Sequence, residues 1–444
     1  MRQASFALAA LTCLLALRAD EGMWTFDNVP AARMKAALGF VPEAAWLDHV
    51  RLSVVRFPGG TGSFVSKDGL VLTNHHVGHN WIQAVGGQDK DYVQNGFVAA
   101  DRAQEVRVPG LSLDVLVSME SVTAQVDAAV KKGMSDVEAG RARQEALAAL
   151  VKADREKHKD LKVEPVTLYQ GGESWLYRYR THRDVRLVMA PEYDIAAFGK
   201  EVDNFSYPRY CLDFSLFRVY ENGLPYQPEH HLTWSEAGVA YGDATFTVGH
   251  PGTTNRLWTV AQIRHAKEFA TPLMVARLEK MRKALREQEA KGGEAARQVS
   301  AQIMGVENSY KVLSGELKGM KDEAVWKELE RREKELRDRV AKDPKLQAQA
   351  GQSWTVIAQA MEERKGFLKE AMVLNLRGSQ LLGAAVNLLR LPVEPDRPEA
   401  QRLPEFRTEA QVKALREALA KGDHPAARET ATLTTLLQTL QEEL

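Results

Sequence analysis

Cysteine is nearly absent: the 444 residues contain two, Cys13 and Cys211. Cys13 lies in an apolar N-terminal run. If that run is removed, only Cys211 remains and no intramolecular disulfide can form, which a large chain with its own core tolerates. A surplus of one charge sign is also missing, since 59 Lys and Arg balance 59 Asp and Glu. That balance argues against nucleic-acid binding and against a polybasic membrane contact, both of which need excess positive charge. Low-complexity segments and internal repeats are absent. Beyond the N-terminus no stretch is long and apolar enough to span a bilayer.

What is present is a 44% apolar composition, sufficient for a packed core, and a length that implies two or three domains. Met1-Arg2-Gln3, an apolar run from Ala4 to Leu17 and Arg18-Ala19-Asp20 fit a secretory signal peptide over 1–19, cleaved after Ala19. Leu17 and Arg18 fit the small-residue cleavage rule poorly. An ordinary N-terminal helix is the plainer reading. Export to the periplasm or the medium is the expectation.

Residues 45 to 120 read as strands separated by Gly and Pro turns, as in "VRLSVVRF", "GSFVS", "GLVLT" and "QEVRVPGLSLDVLVSM". From Thr123 to about Lys159 the composition turns to Ala, Lys, Glu and Arg, a helical insertion broken near Gly133 and Gly140. Strands resume in "VEPVTLYQGG", "YRYRTHRDVRLVMAP", "DFSLFRVYENG" and "ATFTVGHPG". Thr271-Pro272 reads as a helix start, and Met274, Leu278, Met281 and Leu285 form an apolar stripe after it. The charged "VWKELERREKELRDRV" reads as a solvated helix face. The boundary between the β-rich and helical parts falls at 255–270, giving domains 20–262 and 263–444.

The stretch that carries chemistry is "GTGSFVSKDGLVLTNHHVG", residues 60 to 78. Lys67-Asp68-Gly69 is hairpin chemistry, and Leu70-Val71-Leu72-Thr73 is a β-branched strand ending on Asn74-His75-His76. Polar side chains there stand at a sheet rim. In the plain reading one His satisfies a loop carbonyl and the other is solvated. In the chemical reading His76 is a general base, which needs a fixed tautomer and a carboxylate behind it. Asp213, opening the strand-like "DFSLFRVY", is the candidate acid. Metal binding is the rival, because "HHVGH" sets His75 and His79 four apart and His230-His231 could add ligands. A zincin, however, carries Glu after its first His and places the motif on a helix, whereas here a strand leads in. No metal and no cofactor are expected.

"GTGSFVSKDGLVLTNHHV", "DNFSYPRYCLDFSLFRVYENG" and "VGHPGTTNR" resemble the bacterial dipeptidyl-peptidase 7/11 family of exported serine exopeptidases with a chymotrypsin fold. "EGMWTFDNVP", "DVRLVMAPE" and "NSYKVLSGELKGMK" extend the resemblance from about Glu21 to "RLPEF". It implies an α+β architecture: a chymotrypsin-like β-barrel region with a helical insertion, then a mostly helical domain, with the second barrel incomplete. It also implies that His76 is the base and Asp213 its orienting acid. Asn204 would bind the free α-amino group of the substrate, with Phe205 beside it. The plainer reading of Asp203-Asn204 is an Asx turn before Pro208. The partners implied are oligopeptides with a free N-terminus, with a homodimer as the open assembly. The family commonly has Cys after the catalytic His, and here that residue is Val77.

One absence outweighs the others. The triad needs a serine in a turn of the type Gly-x-Ser-Gly, whose N–H groups form the oxyanion hole. Ser63 precedes the histidine strand, Ser174 lacks a following Gly, and Ser314 lies in a helical stretch. In the family the nucleophile follows the helical domain. The expectations are therefore a serine dipeptidyl peptidase truncated at its C-terminus or, as the alternative, a serine-less fragment or peptide-binding homologue without turnover. An HtrA-like endopeptidase fits less well, because its carboxylate strand follows the histidine much sooner.

Overall fold

Among the described residues there are eleven strands: β1 (Val54–Phe57), β2 (Gly60–Phe64), β3 (Leu70–Thr73), β4 (Phe97–Val98), β5 (Val106–Arg107), β6 (Leu113–Ser121), β7 (Lys162–Leu168), β8 (Glu173–His182), β9 (Asp184–Ala190), β10 (Ser215–Glu221) and β11 (Leu224–Pro225). They join one sheet in the order β4-β9-β10-β3-β2-β1-β6-β8-β7, with β11 paired to β10 and β5 to β9. Every pairing is antiparallel. The computed structural model describes residues 22–86, 90–197, 211–252, 254–373, 378–397, 402–406, 409–422 and 424–443. The expected signal peptide lies outside these residues.

Two compact units divide the described chain, one running to residue 197 and over 211–254, the other from Asn255 onward. The first unit is an antiparallel sheet with helices. Val55, Phe57, Phe64, Val71, Leu113, Val185, Leu187, Phe217 and Val219 are almost inaccessible within it. The Phe57 and Phe217 rings lie 5.2 Å apart, tilted at 58°. Such aromatic packing at the centre of the sheet holds β1 and β10 to one core.

The helical insertion is present as Thr123–Asp127 and Asp136–Lys157. Ser135 starts the longer helix with a capping box: its hydroxyl accepts from Glu138 N–H, and Glu138 Oε2 accepts from Ser135 N–H. Val122, Val126, Val151 and Leu176 form its small core. Arg178 donates to both carboxylate oxygens of the buried Asp154 at 2.7 Å, tying the helix to β8. Gly133, at φ +92°, lies between the helices, but Gly140 sits inside the second and does not break it. One internal glycine costs only about 1 kcal/mol, which the cap and the buried face offset.

Several strand expectations are corrected. "VRLSVVRF" changes type midway, because Arg51-Leu52-Ser53 close the helix Ala44–Ser53 before β1 begins. Val50 and Ser53 share its buried side, Ser53 Oγ donates to the His49 carbonyl, and Arg51 Nη1 donates to the Leu116 carbonyl. "YRYRTHRDVRLVMAP" holds two strands, β8 pairing with β6 and β7 while β9 pairs with β10. "ATFTVGHPG" joins no ladder among the described residues. Alternation there has no neighbouring strand to satisfy the backbone, and Ala244 to Phe246 stay exposed.

The second unit is helical among its described residues. Its core is Met281, Ala284, Leu285, Val299, Ile303, Ala427 and Ala431, contributed by the helices Thr271–Glu289, Gly293–Met320 and Ala426–Glu443. The α-helix Thr271–Glu289 starts at the expected Thr271-Pro272, with the proline in its first turn, but no side chain caps it and helical backbone precedes it. The helical run begins at Val260, where Thr259 and Gln262 form a capping box. It passes through a π-turn at Ala266–Ala270, where Thr271 N–H reaches back to the Ala266 carbonyl. The wider turn precedes Pro272, which has no N–H to give. Of the proposed stripe, Met281 and Leu285 are buried and Met274 is exposed. No described helix is long and apolar enough to cross a membrane.

Candidate active site

The hairpin β2–β3 closes with Val65 N–H donating to the Leu70 carbonyl at 2.8 Å. Gly69 stands at φ +74° in its turn, a conformation that L side chains avoid. The hairpin delivers Thr73 to the sheet end, where Thr73 Oγ1 donates to the Thr61 carbonyl at 2.8 Å. The chain then enters the helix His75–Gly86. On the other side of β3, β10 pairs Ser215 with Thr73 and Leu216 with Leu72. In an antiparallel ladder, the residues just before Ser215 leave the sheet where those just after Thr73 do.

Asp213 and His76 therefore meet, 137 residues apart in sequence. His76 Nδ1 lies 2.7 Å from Asp213 Oδ2, and His76 backbone N–H donates to Asp213 Oδ1 at 2.9 Å. Asn74 Nδ2 donates to Asp213 Oδ2 at 3.2 Å and to its backbone carbonyl at 3.1 Å. The His76 side chain is 47% exposed and that of Asp213 is 22% exposed. The ring is thus open to a ligand while the acid behind it is sheltered.

Burial works to raise the Asp213 pKa, but hydrogen bonds from the His76 ring and backbone outweigh it and hold the carboxyl below its ordinary range. A carboxylate accepting at Nδ1–H leaves the imidazole lone pair on Nε2. Such a ring can take a proton from an attacking group and return it to a leaving group. No described hydroxyl or thiol hydrogen-bonds to His76 Nε2.

Close approach of the helix to β10 needs Gly78. A Cβ there would lie 2.8 Å from Ser215 Oγ and 3.2 Å from Phe217 Cε2. Ser215 Oγ in turn donates to the Asn74 carbonyl at 3.2 Å. "HHVGH" is helical, contrary to the strand and loop reading. His75 and His79 point inward, buried, with Tyr193 ring centroids 6.3 and 5.8 Å away. Burial first, and His79 next, push His75 down to about 4. His230 meets His49 Nδ1 to Nδ1 at 3.1 Å, far in sequence from the "HHVGH" histidines. Among the described residues no three His, Cys, Asp or Glu side chains are grouped to hold a metal ion.

Asn204 and Phe205 lie outside the described residues. Ser63 is on β2 opposite Leu72, Ser174 is on β8, and Ser314 is inside the helix Gly293–Met320. Sequence reasoning assigned nothing to Asn74, Gly78 or Ser215. The one signal available was Asn74 itself, a capping residue type immediately before a helix.

The profile of the family described as Peptidase S46 matches residues 19–444. The chain belongs to that family. Among its S46 relatives, the dipeptidyl-peptidase 7 of Porphyromonas endodontalis is 36% identical over 261 residues, covering 54% of this chain and 32% of that protein. The Asp/Glu-specific dipeptidyl-peptidase of Shewanella putrefaciens is 28% identical over 420 residues, covering 90% of this chain and 56% of that protein. In fold, the chain resembles Porphyromonas endodontalis DPP11 in complex with the dipeptide Arg-Glu, with TM-score 0.73 at 24% identity, over 95% of this chain and 64% of that one. The same enzyme in complex with substrate gives TM-score 0.71 at 25% identity, over 94% and 63%. The chain thus spans between about a third and a little over half the length of these curated relatives.

Proposed function

We propose that this S46 chain supplies the base and the orienting acid of a serine-type dipeptidyl peptidase, which releases dipeptides from the free N-terminus of oligopeptides. His76 is the general base and Asp213 its acid. The observation that carries the reading is the 2.7 Å contact of His76 Nδ1 with Asp213 Oδ2, together with the second Asp213 oxygen on His76 N–H. Relatives named dipeptidyl-peptidase 7 and a fold likeness to a DPP11 holding a dipeptide support the substrate class. Asn204, with Phe205 beside it, is the proposed site for the substrate ammonium group, since an amide oxygen can accept from it.

A chymotrypsin-like barrel region is the proposed architecture around β1, β2, β3 and β10, with the helical domain following. Export after removal of residues 1–19 completes the proposal, supported by the charged start and apolar core of that segment.

The test is to express the reading frame containing codons 1–444, with whatever coding sequence follows, and assay dipeptidyl reporters with free and acetylated N-termini. Expected is turnover of the free-amine reporters alone, lowered by factors on the order of 10³ or more in His76→Ala. Turnover that survives both His76→Ala and Asp213→Asn would overturn the assignment. The second reading is a peptide-binding homologue without turnover. Binding of free-amine peptides with no hydrolysis and no fluorophosphonate labelling would select it.

A further inference from the structure

Asparagine immediately before a helix ordinarily turns its side-chain oxygen onto the second or third helical N–H. Asn74 occupies that place before the helix His75–Gly86 and its side chain is used otherwise. Its Nδ2 donates to the Asp213 carbonyl at 3.1 Å and to Asp213 Oδ2 at 3.2 Å. Both of those atoms only accept, so the amide can face them with its nitrogen and not its oxygen. The missing capping acceptor comes from 137 residues away, as Asp213 Oδ1 receives His76 N–H at 2.9 Å.

The backbone of Asn74 is itself held. Its carbonyl accepts from Gly78 N–H at 3.1 Å and from Ser215 Oγ at 3.2 Å. The side chain is therefore a short strut with its root fixed between the helix and β10. Asp213 Oδ2, the oxygen it reaches, is the same atom that faces His76 Nδ1. Rotating the carboxylate about its Cβ–Cγ bond would break the Asn74 and His76 contacts together.

We propose that Asn74 is a positioning residue for the His76–Asp213 pair: its amide locks the carboxylate plane and so keeps the His76 proton on Nδ1. The catalytic meaning of this role rests on the peptidase reading, but its readout needs no turnover.

The experiment uses the full chain labelled with ¹⁵N-histidine, compared with Asn74→Ala, Asn74→Asp and Asp213→Asn. Nitrogen shifts report the His76 tautomer, proton exchange reports the Nδ1–H bond, and thermal melting reports stability. Asn74→Ala removes the donor without adding charge, and Asn74→Asp keeps the side-chain shape while replacing the donor. Positioning needs a donor, and a second carboxylate facing Asp213 removes it. The expected result is a larger Nε2–H tautomer population in both Asn74 variants, with the remaining Nδ1–H exchanging faster by about five- to ten-fold, the scale of one hydrogen bond. Two carboxylates in contact should lower the melting temperature of Asn74→Asp, so the ring readouts are taken well below it. Wild-type tautomer and exchange in Asn74→Asp would overturn the proposal. If that variant does not fold, the same result in Asn74→Ala would overturn it. Asp213→Asn separates the two levels. If it also leaves the His76 ring unchanged, the His76–Asp213 reading fails as well. If it alone shifts the ring, only the strut is lost.

Discussion

Ser215 stands directly opposite Thr73 in the ladder between β3 and β10. That pairing places Asp213, two residues before one, beside His76, three residues after the other. A slip of one residue would turn every β10 side chain to the opposite face. Phe217 and Val219, both inaccessible, would then face out, so the core itself enforces the register that builds the site.

Asp213→Asn should destabilise the first unit as well as disable the site. The carboxylate accepts from the His76 ring, from His76 N–H and from Asn74, and hydrogen bonds to a charged group contribute about 1.5–3 kcal/mol each at most. The Asp213 pKa is depressed in the folded state, so its stabilisation is complete above the ordinary carboxyl value of 3.8 and is lost as pH falls through the lower folded value. Urea titrations should show a gap between wild type and Asp213→Asn at pH 7 that closes below pH 3.8. A gap independent of pH would contradict this.

Gly78→Ala should lower stability by about 1–3 kcal/mol, the usual cost of overpacking. The new methyl would press on Ser215 Oγ at 2.8 Å and Phe217 Cε2 at 3.2 Å, both on a central strand. Adding Ser215→Ala removes the nearer contact. The double variant is then expected to cost less than the sum of the two singles in a thermal-melt cycle. Additivity would mean the helix does not press on β10 there.

His75 should make the protein acid-sensitive. Its folded pKa is lowered to about 4 from 6.5, chiefly by burial. The unfolded chain takes up the proton first, so stability is full above pH 6.5 and falls progressively down to about pH 4. At pH 5 this one residue should cost about 2 kcal/mol, at 1.36 kcal/mol for each pH interval. His75→Leu should flatten the loss between pH 7 and 5 by that amount in denaturant titrations. An unchanged slope would place the sensitivity in other buried histidines.

In the second unit, Glu429 is buried against the start of the helix Gln380–Arg390. It accepts from Ser379 Oγ at 2.6 Å, Gln380 N–H at 2.9 Å and Leu381 N–H at 3.3 Å. Burial works to raise its pKa, and these bonds together hold it below the usual range. Glu429→Ala should leave those donors unpaired and cost about 2–4 kcal/mol. Hydrogen exchange should show the amides of Gln380 to Leu382 losing protection ahead of the core helices.

Local pieces were legible in the residues alone: the β2–β3 hairpin around Asp68-Gly69, the helical insertion from Thr123 to about Lys159, and His76 and Asp213 in strand-end contexts. These are short-range patterns, set by turn chemistry, periodicity and capping within a few residues. Which strand ends meet is set by the sheet pairing of the folded chain. The His76–Asp213 contact depends on the β3–β10 pairing across 137 residues, and no local signal carries a pairing partner. The same reason explains the failures. "ATFTVGHPG" alternates like a strand but has no ladder neighbour among the described residues, and "HHVGH" follows a strand yet coils into a helix whose His76 N–H finds Asp213. Asn74 is a helix-capping residue type, but with no helix read after it the residue carried no role in the sequence. That its amide would instead turn to Asp213 followed from an acceptor brought there by the fold.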